Sequence, residues 1–328
     1  MSDIYVVGGH VRQNIFRKLE EWQSCDQGRI IRFDPGKKES RTCLEYVSPP
    51  EVCAEDSPAI LFKSAHLDGK TLYACTSTEV MVYELPGFHR TGYISLPCFN
   101  DLHHVCPTPS GTMAIAVTGL DMVVEVTMSG EVVREWGVLE EDPWARFSRE
   151  IDYRRIPTTK PHRSHPNHVF QLGGELWVTR FAQRDAICLT RRGARIDIAV
   201  ERPHDGYLFG DFLYFTTVDG HVVLADPKTL KIRKTYDLNQ MHPEPRRVLG
   251  WCRGLLPLDD RFLWVGFTRV RPTKFVENVA WLRNGPPQHK ASHIALYDLA
   301  AGACVEEIFL EPHGVGVIFS LLLAPPTY

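Results

Sequence analysis

Five histidines and one arginine open six similar stretches of the chain: His66, His104, His168, His204, Arg253 and His313. A single His in a strand is usually a hydrogen-bonded core residue. Five at one repeat position are different, because equivalent positions of a closed repeat converge on its axis. Converging neutral imidazoles satisfy one another poorly, and protonating several together is electrostatically costly; a divalent transition metal answers both problems. Imidazole suits Fe, Zn, Cu, Ni or Mn(II), and the lack of a carboxylate at the repeat position argues against Ca²⁺ and Mg²⁺. The expectation is three or four His ligands from His66, His104, His168, His204 and His313, with Fe(II) the first choice of metal and Zn the second. Arg253 neither ligates nor loses its proton, so its role is to hold an anionic substrate group or stabilise developing charge. Asp205 is read as an acid/base group beside His204 or as a turn residue. The competing reading of the whole set is a polar channel with a structural His network.

These residues need elements that bring them together. After each comes a tight turn, an apolar strand, a second strand, a polar turn and a third strand. Examples are His66-Leu-Asp-Gly followed by Thr71-Leu-Tyr-Ala-Cys-Thr, and His104-Val-Cys-Pro-Thr-Pro-Ser-Gly followed by Thr112-Met-Ala-Ile-Ala-Val. Runs of 4 to 7 β-branched and aromatic residues between Gly, Pro, Asp and Asn read as strands. Four-stranded units in tandem are blades of a β-propeller. The sixth copy starts at His313 and the chain then ends, while three unassigned strands lie at the other end: Ile4-Tyr-Val-Val, Arg29-Ile-Ile-Arg-Phe and Arg41-Thr-Cys-Leu-Glu-Tyr. The expected fold is therefore an all-β, six-bladed propeller over residues 1–328, one domain, whose closing blade is shared by the N- and C-termini; seven blades or a two-sheet sandwich are the alternatives. Residues 11–22 read as a helical excursion from the closing blade.

Strand direction sorts the connections onto two faces. Tight turns such as Asp68-Gly69, Pro109-Ser-Gly and Asp226-Pro227 trim one face, and the long segments 8–28, 47–65, 137–167, 239–252 and 269–292 fall on the other, where the innermost strands start. Segments 137–167 and 269–292 read as lids over the His positions. They carry Trp144, Arg146, Arg269, Arg271 and Lys274, expected to capture a carboxylate, phosphate or sulfate. His10, Asn14, His162 and His165 are loop residues able to reach the site. His103 should face away from His104 by strand alternation, and His89, His221, His242 and His293 read as surface or turn residues.

Composition excludes several classes. With 37 Lys+Arg against 40 Asp+Glu the net charge is −3, which gives no global footprint for nucleic acid. No apolar run is long enough to span a bilayer, and the N-terminal residues lack the basic region of a signal peptide. Nine Cys without CxxC pairs fit reduced thiols, so the expected location is cytoplasmic.

One His per blade around an axis resembles two kinds of metal-bearing propeller enzyme. The carotenoid-cleaving oxygenases hold Fe(II) with four His; the peptidyl-hydroxyglycine amidating lyases use His for Zn with an Arg near the substrate, and the six-blade plan resembles these more closely. Leu102-His-His-Val, Pro109-Ser-Gly, Val124-Glu-Val and Gly130-Glu-Val-Val-Arg-Glu-Trp are similar to one blade of arylsulfotransferase-type propellers. The resemblance implies a metal-dependent oxygenation with iron, or a lyase or hydrolytic step with zinc, on a small anionic substrate. The alternative from another class is a non-enzymatic propeller that binds a protein or small anion through its long-loop face.

Overall fold

The computed structural model describes residues 2–12, 24–56, 58–244, 249–270 and 290–326. Its 24 strands form six four-stranded antiparallel sheets, each a blade. The innermost strands are, in order, Ser64–Asp68, Leu102–Pro107, Pro166–Leu172, Tyr207–Phe209, Trp251–Pro257 and Val317–Leu323. The closing blade is the one read from the sequence: C-terminal Val317–Leu323 pairs with Ile4–Val11, which continues to Cys25–Asp34 and Glu39–Tyr46. No seventh sheet forms among the described residues. The helical reading of residues 11–22 falls, from 13 onward, outside the described residues.

Apolar content decides each strand's depth. Met113–Val117 (Met-Ala-Ile-Ala-Val) is buried throughout because a second strand is covered on both faces by neighbouring blades. Outer strands such as Val132–Gly137 are largely exposed and carry charge. Cores lie between adjacent sheets: Ile4, Val6, Ile31 and Phe33 of the closing blade pack on Trp264, Ile294 and Leu296 of the fifth. No disulfide forms among the described residues, and all nine cysteines are among them. No helix is long and apolar enough to cross a membrane among the described residues.

The innermost strands depart from regular pleating in a way that shapes the bore. Leu102 and His104 pair with the consecutive residues Val117 and Ala116, which leaves His103 as an extra, bulged residue. One extra residue is likewise inserted between Pro166 and Val169, between Cys252 and Leu255, and, as Phe319, between Ile318 and Ser320. Bulges re-aim side chains, and here they break the alternation on which the reading of His103 rested.

Candidate metal centre in the long-loop cavity

The bore opens into a cavity at each end. The cavity on the long-loop side, about 850 Å³, is walled by the starts of the innermost strands, including Lys63, His103, His204, Arg253 and Phe319, and by the connection carrying His162 and His165. The opposite cavity, about 580 Å³, receives His66, His104 and His168 with Asp205. The six repeat positions are thus divided and do not converge on one point. His104 and His168 stack face to face at 3.6 Å between centroids, and His66 meets His104 edge-on at 6.1 Å. Imidazole lone pairs lie in the ring plane, so the stacked pair does not direct them at an ion between the rings. His313 lines neither cavity. It ends the short helix Glu311–His313, where its Nδ1 meets Ser40 Oγ at 2.8 Å and its ring sits edge-on to Phe33. Gly314 and Gly316 separate it from the strand proper, and the bulged Phe319 stands on the cavity wall in its place.

Three side chains do gather: Asp101, His162 and His165 each present a possible ligand atom, all within 4.8 Å of one another. Asp101 immediately precedes the second blade's innermost strand, and the two histidines come from the connection that leads into the third. Asn100 joins these segments, its Nδ2 donating to the carbonyls of Tyr153 and Ile156, both at 2.8 Å. Its neighbour across the chain must be glycine: a Cβ on Gly119 would sit 2.3 Å from Asn100 Oδ1. Asp101 and His165 both adopt left-handed backbone, φ 50° and 58°, a conformation that costs energy outside glycine and concentrates at functional sites.

Hydrogen bonds fix the tautomers. Thr159 Oγ1 donates its one proton to Gly119 O at 2.5 Å, so at 3.2 Å it accepts from His162 Nε2–H. His162 Nδ1 is therefore unprotonated, and at 2.8 Å it accepts from His165 Nδ1–H. His103 donates Nδ1–H to the Asp101 carbonyl at 2.8 Å, which leaves Nε2 as its acceptor. Burial holds His162 below the ordinary imidazole range, and burial together with the neighbouring imidazoles holds His165 well below it. These rings stay neutral and able to ligate. Burial alone would raise the Asp101 carboxyl, but Lys63, whose Nζ is 2.6 Å away, and the imidazoles of His103, His162 and His165 outweigh it and hold the group well below the carboxylate range.

The rest of the wall is cationic and aromatic. Six Lys and Arg line the cavity against the single carboxylate of Asp101. Arg253 lies over the Phe319 ring at 3.7 Å, with Lys63 at 5.5 Å. Phe181 stacks parallel to Trp251 at 6.2 Å, with Arg202 over it.

Several residues assigned from sequence have other work. Arg269 makes a two-pronged ion pair with Glu311, Arg146 donates to Asp121, and Trp144 donates its indole N–H to Glu135; none of the three lines the cavity. Arg271 and Lys274 lie outside the described residues. Asp205 is buried, accepting from Thr216 Oγ1 and from Gly254 N at 3.0 Å. His242 and His293, read as surface residues, are buried. Lys63, Asp101, Trp251 and Phe319 were missed, and His103, expected to face away, lines the cavity; the one sequence signal available was His162-x-x-His165 between Pro161 and Pro166.

No family model and no curated protein matches the chain. Among solved structures, the crystal structure of a protein of unknown function from Bacteroides caccae, at 1.35 Å resolution, superposes with a TM-score of 0.62 over 98% of this chain and 98% of that one, at 14% identity. That likeness is one of fold.

Proposed function

We propose that the chain is a metal-dependent enzyme acting on a small anionic substrate in the long-loop cavity, with Asp101, His162 and His165 ligating Fe(II) as first choice or Zn²⁺ as second. The observation that carries this reading is the gathering of one ligand atom each from Asp101, His162 and His165 within 4.8 Å of one another. Two His and one carboxylate are the donor set of non-haem Fe(II) oxygenases and also occur at catalytic zinc, and three protein ligands leave coordination positions open. Such an ion supplies Lewis acidity, an activated water or, for iron, oxygen chemistry.

The chain's own residues do the rest. Thr159 fixes the His162 tautomer, and the His103 contact with the Asp101 carbonyl fixes a neighbouring ring. Arg253 and its cationic neighbours hold the substrate's charge, and the aromatic surfaces of Phe319, Phe181 and Trp251 exclude water and strengthen those contacts. Iron held there would supply oxygenation chemistry, and zinc would supply a lyase or hydrolytic step. One observation favours a second reading: Lys63 Nζ already places a cation 2.6 Å from Asp101 Oδ1, as in a metal-free propeller that binds a small anion or an acidic partner.

Elemental analysis of untagged protein prepared anaerobically separates them. About one iron or zinc per chain, lost in His165→Ala, supports the enzyme; absence of metal after reconstitution with each ion removes it and leaves the anion binder.

A further inference from the structure

We infer that Asp121 is a positioning residue, a buried carboxylate that clamps the turn bearing His162 and His165 into ligating shape before an ion arrives; this rests on the metal reading above. Asp121 is 4% exposed and takes four donors. Its Oδ1 accepts from Ser164 N at 2.9 Å and His165 N at 2.7 Å, and its Oδ2 from Arg163 N at 2.8 Å and Arg146 Nη1 at 2.9 Å. Three consecutive amides converging on one carboxylate impose a tight curl on the backbone, and the last belongs to His165, which is held at φ 58°.

The clamp is itself held from a different blade. Asp121 ends the short helix Thr118–Leu120 in left-handed backbone, φ 51°, with its N–H donating to Thr118 O; Val138 N donates to its carbonyl. The same helix contributes Gly119, whose carbonyl takes the Thr159 proton that sets the His162 tautomer. One turn of the second blade therefore controls the backbone under one candidate ligand and the protonation pattern of the other. Hydrogen bonds to a charged acceptor are about twice as strong as neutral ones, and the Arg146 guanidinium compensates the buried charge.

Substitution of groups that orient metal ligands weakens metal binding by about 10 to 100-fold, and that is the loss expected for Asp121→Asn, read by titrating metal-free protein with Co(II) and following its ligand-field absorption. Asn keeps the size but turns an N–H₂ toward donors, so the band intensities should change along with the affinity. Arg146→Ala, which leaves all three amide contacts, should stay within a few-fold of wild type. Asp121→Asn binding Co(II) with unchanged affinity and spectrum overturns the inference. A second measurement needs no variant to fold: amide exchange of the peptide spanning 163–165 in the wild type, with and without Co(II). Slow exchange in both states supports a preformed clamp; slow exchange only with Co(II) means that the ion shapes the turn, and overturns it. If the wild type takes up no Co(II), the metal reading falls, and exchange in metal-free protein alone still decides whether Asp121 holds the turn.

Discussion

His162 Nδ1 and His165 Nδ1 face each other across 2.8 Å with a single proton to share, because Thr159 has already claimed the Nε2–H of His162. A cation held by both nitrogens would displace that proton, which His165 would then carry on Nε2 instead. A ligand that binds only the folded state stabilises it by about 2.7 kcal/mol at a free concentration 100 times its Kd. Zinc or anaerobic Fe(II) at that excess should raise the unfolding free energy of wild type by about this amount. The gain should vanish in His162→Ala and His165→Ala and persist in His66→Ala and His104→Ala, which alter only the opposite cavity. The reverse pattern, measured by urea unfolding, would return the metal to the stacked histidines.

Anion capture depends on the Arg253 and Phe319 pair. The guanidinium lies 3.7 Å from the ring centre, so the aromatic face orients a planar fork that Lys lacks. Isothermal titration with malonate should show binding that weakens with salt. Hydrogen bonds to charged groups are worth about 1.5–3 kcal/mol, so Arg253→Lys should lose roughly ten-fold or more. Phe319→Leu, which removes a contact of about 0.5–2 kcal/mol, should lose less. Equal binding by Arg253→Lys would remove Arg253 from the substrate site.

The architecture was legible because it is written in repeats. Turn residues at fixed offsets and strands buried on both faces gave six blades and the shared closing blade, down to Val317–Leu323 pairing with Ile4–Val11. The site was less legible because it depends on departures from the repeat. A bulge adds one residue to a strand without changing its apolar pattern, so nothing in Leu102-His-His-Val tells that His103 turns into the long-loop cavity while His104 serves the other. Asp101, His165 and Asp121 owe their placement to left-handed backbone and to contacts between segments more than 40 residues apart, such as Asp121 to His165 (|i−j| = 44). Position in a repeat specifies a strand's start; it does not specify depth along the bore, and that is what separated His204 and Arg253 from His66, His104 and His168.

Stability should fall in mild acid. Burial lowers His293 to about 4, and burial likewise lowers His168 to about 4, whereas the unfolded chain titrates near 6.5. Below about pH 6.5 the unfolded state therefore binds protons that the folded state refuses, and folding weakens progressively until the folded rings also protonate near pH 4. Each such group contributes a slope of at most about 1.4 kcal/mol per pH unit and a total on the order of 3 kcal/mol. Urea unfolding should give a flat profile above pH 7 and a decline between pH 6 and 4.5. His293→Gln, at a fully buried ring stacked 5.0 Å from Phe267, should make that decline shallower by about one proton. An unchanged slope would place the titration elsewhere.

Asp205 sits beside His204 in sequence, which made it a candidate acid or base, yet its bonds argue for holding the bore in shape. Its Oδ2 accepts from Thr216 Oγ1 and from Gly254 N, and Gly254 shares with Arg253 the bulge of the fifth blade. Gly254 has φ 83°, and a Cβ there would meet Leu321 Cγ and Phe319 O, each at 3.4 Å. The Asp205 contact thus ties the fourth blade to the bulge that aims Arg253 over Phe319. Asp205→Ala leaves the buried Gly254 amide and Thr216 hydroxyl unsatisfied, at a cost of about 1–3 kcal/mol for each group. Gly254→Ala forces left-handed backbone on a residue with a side chain and costs about 1–2 kcal/mol. Both variants should lower the thermal midpoint and weaken malonate binding while leaving Co(II) uptake at Asp101, His162 and His165 intact. An acid or base acting on substrate would behave otherwise: Asp205→Asn, which retains the acceptor oxygen, would then abolish turnover without loss of stability, and that outcome would restore Asp205 to the chemistry.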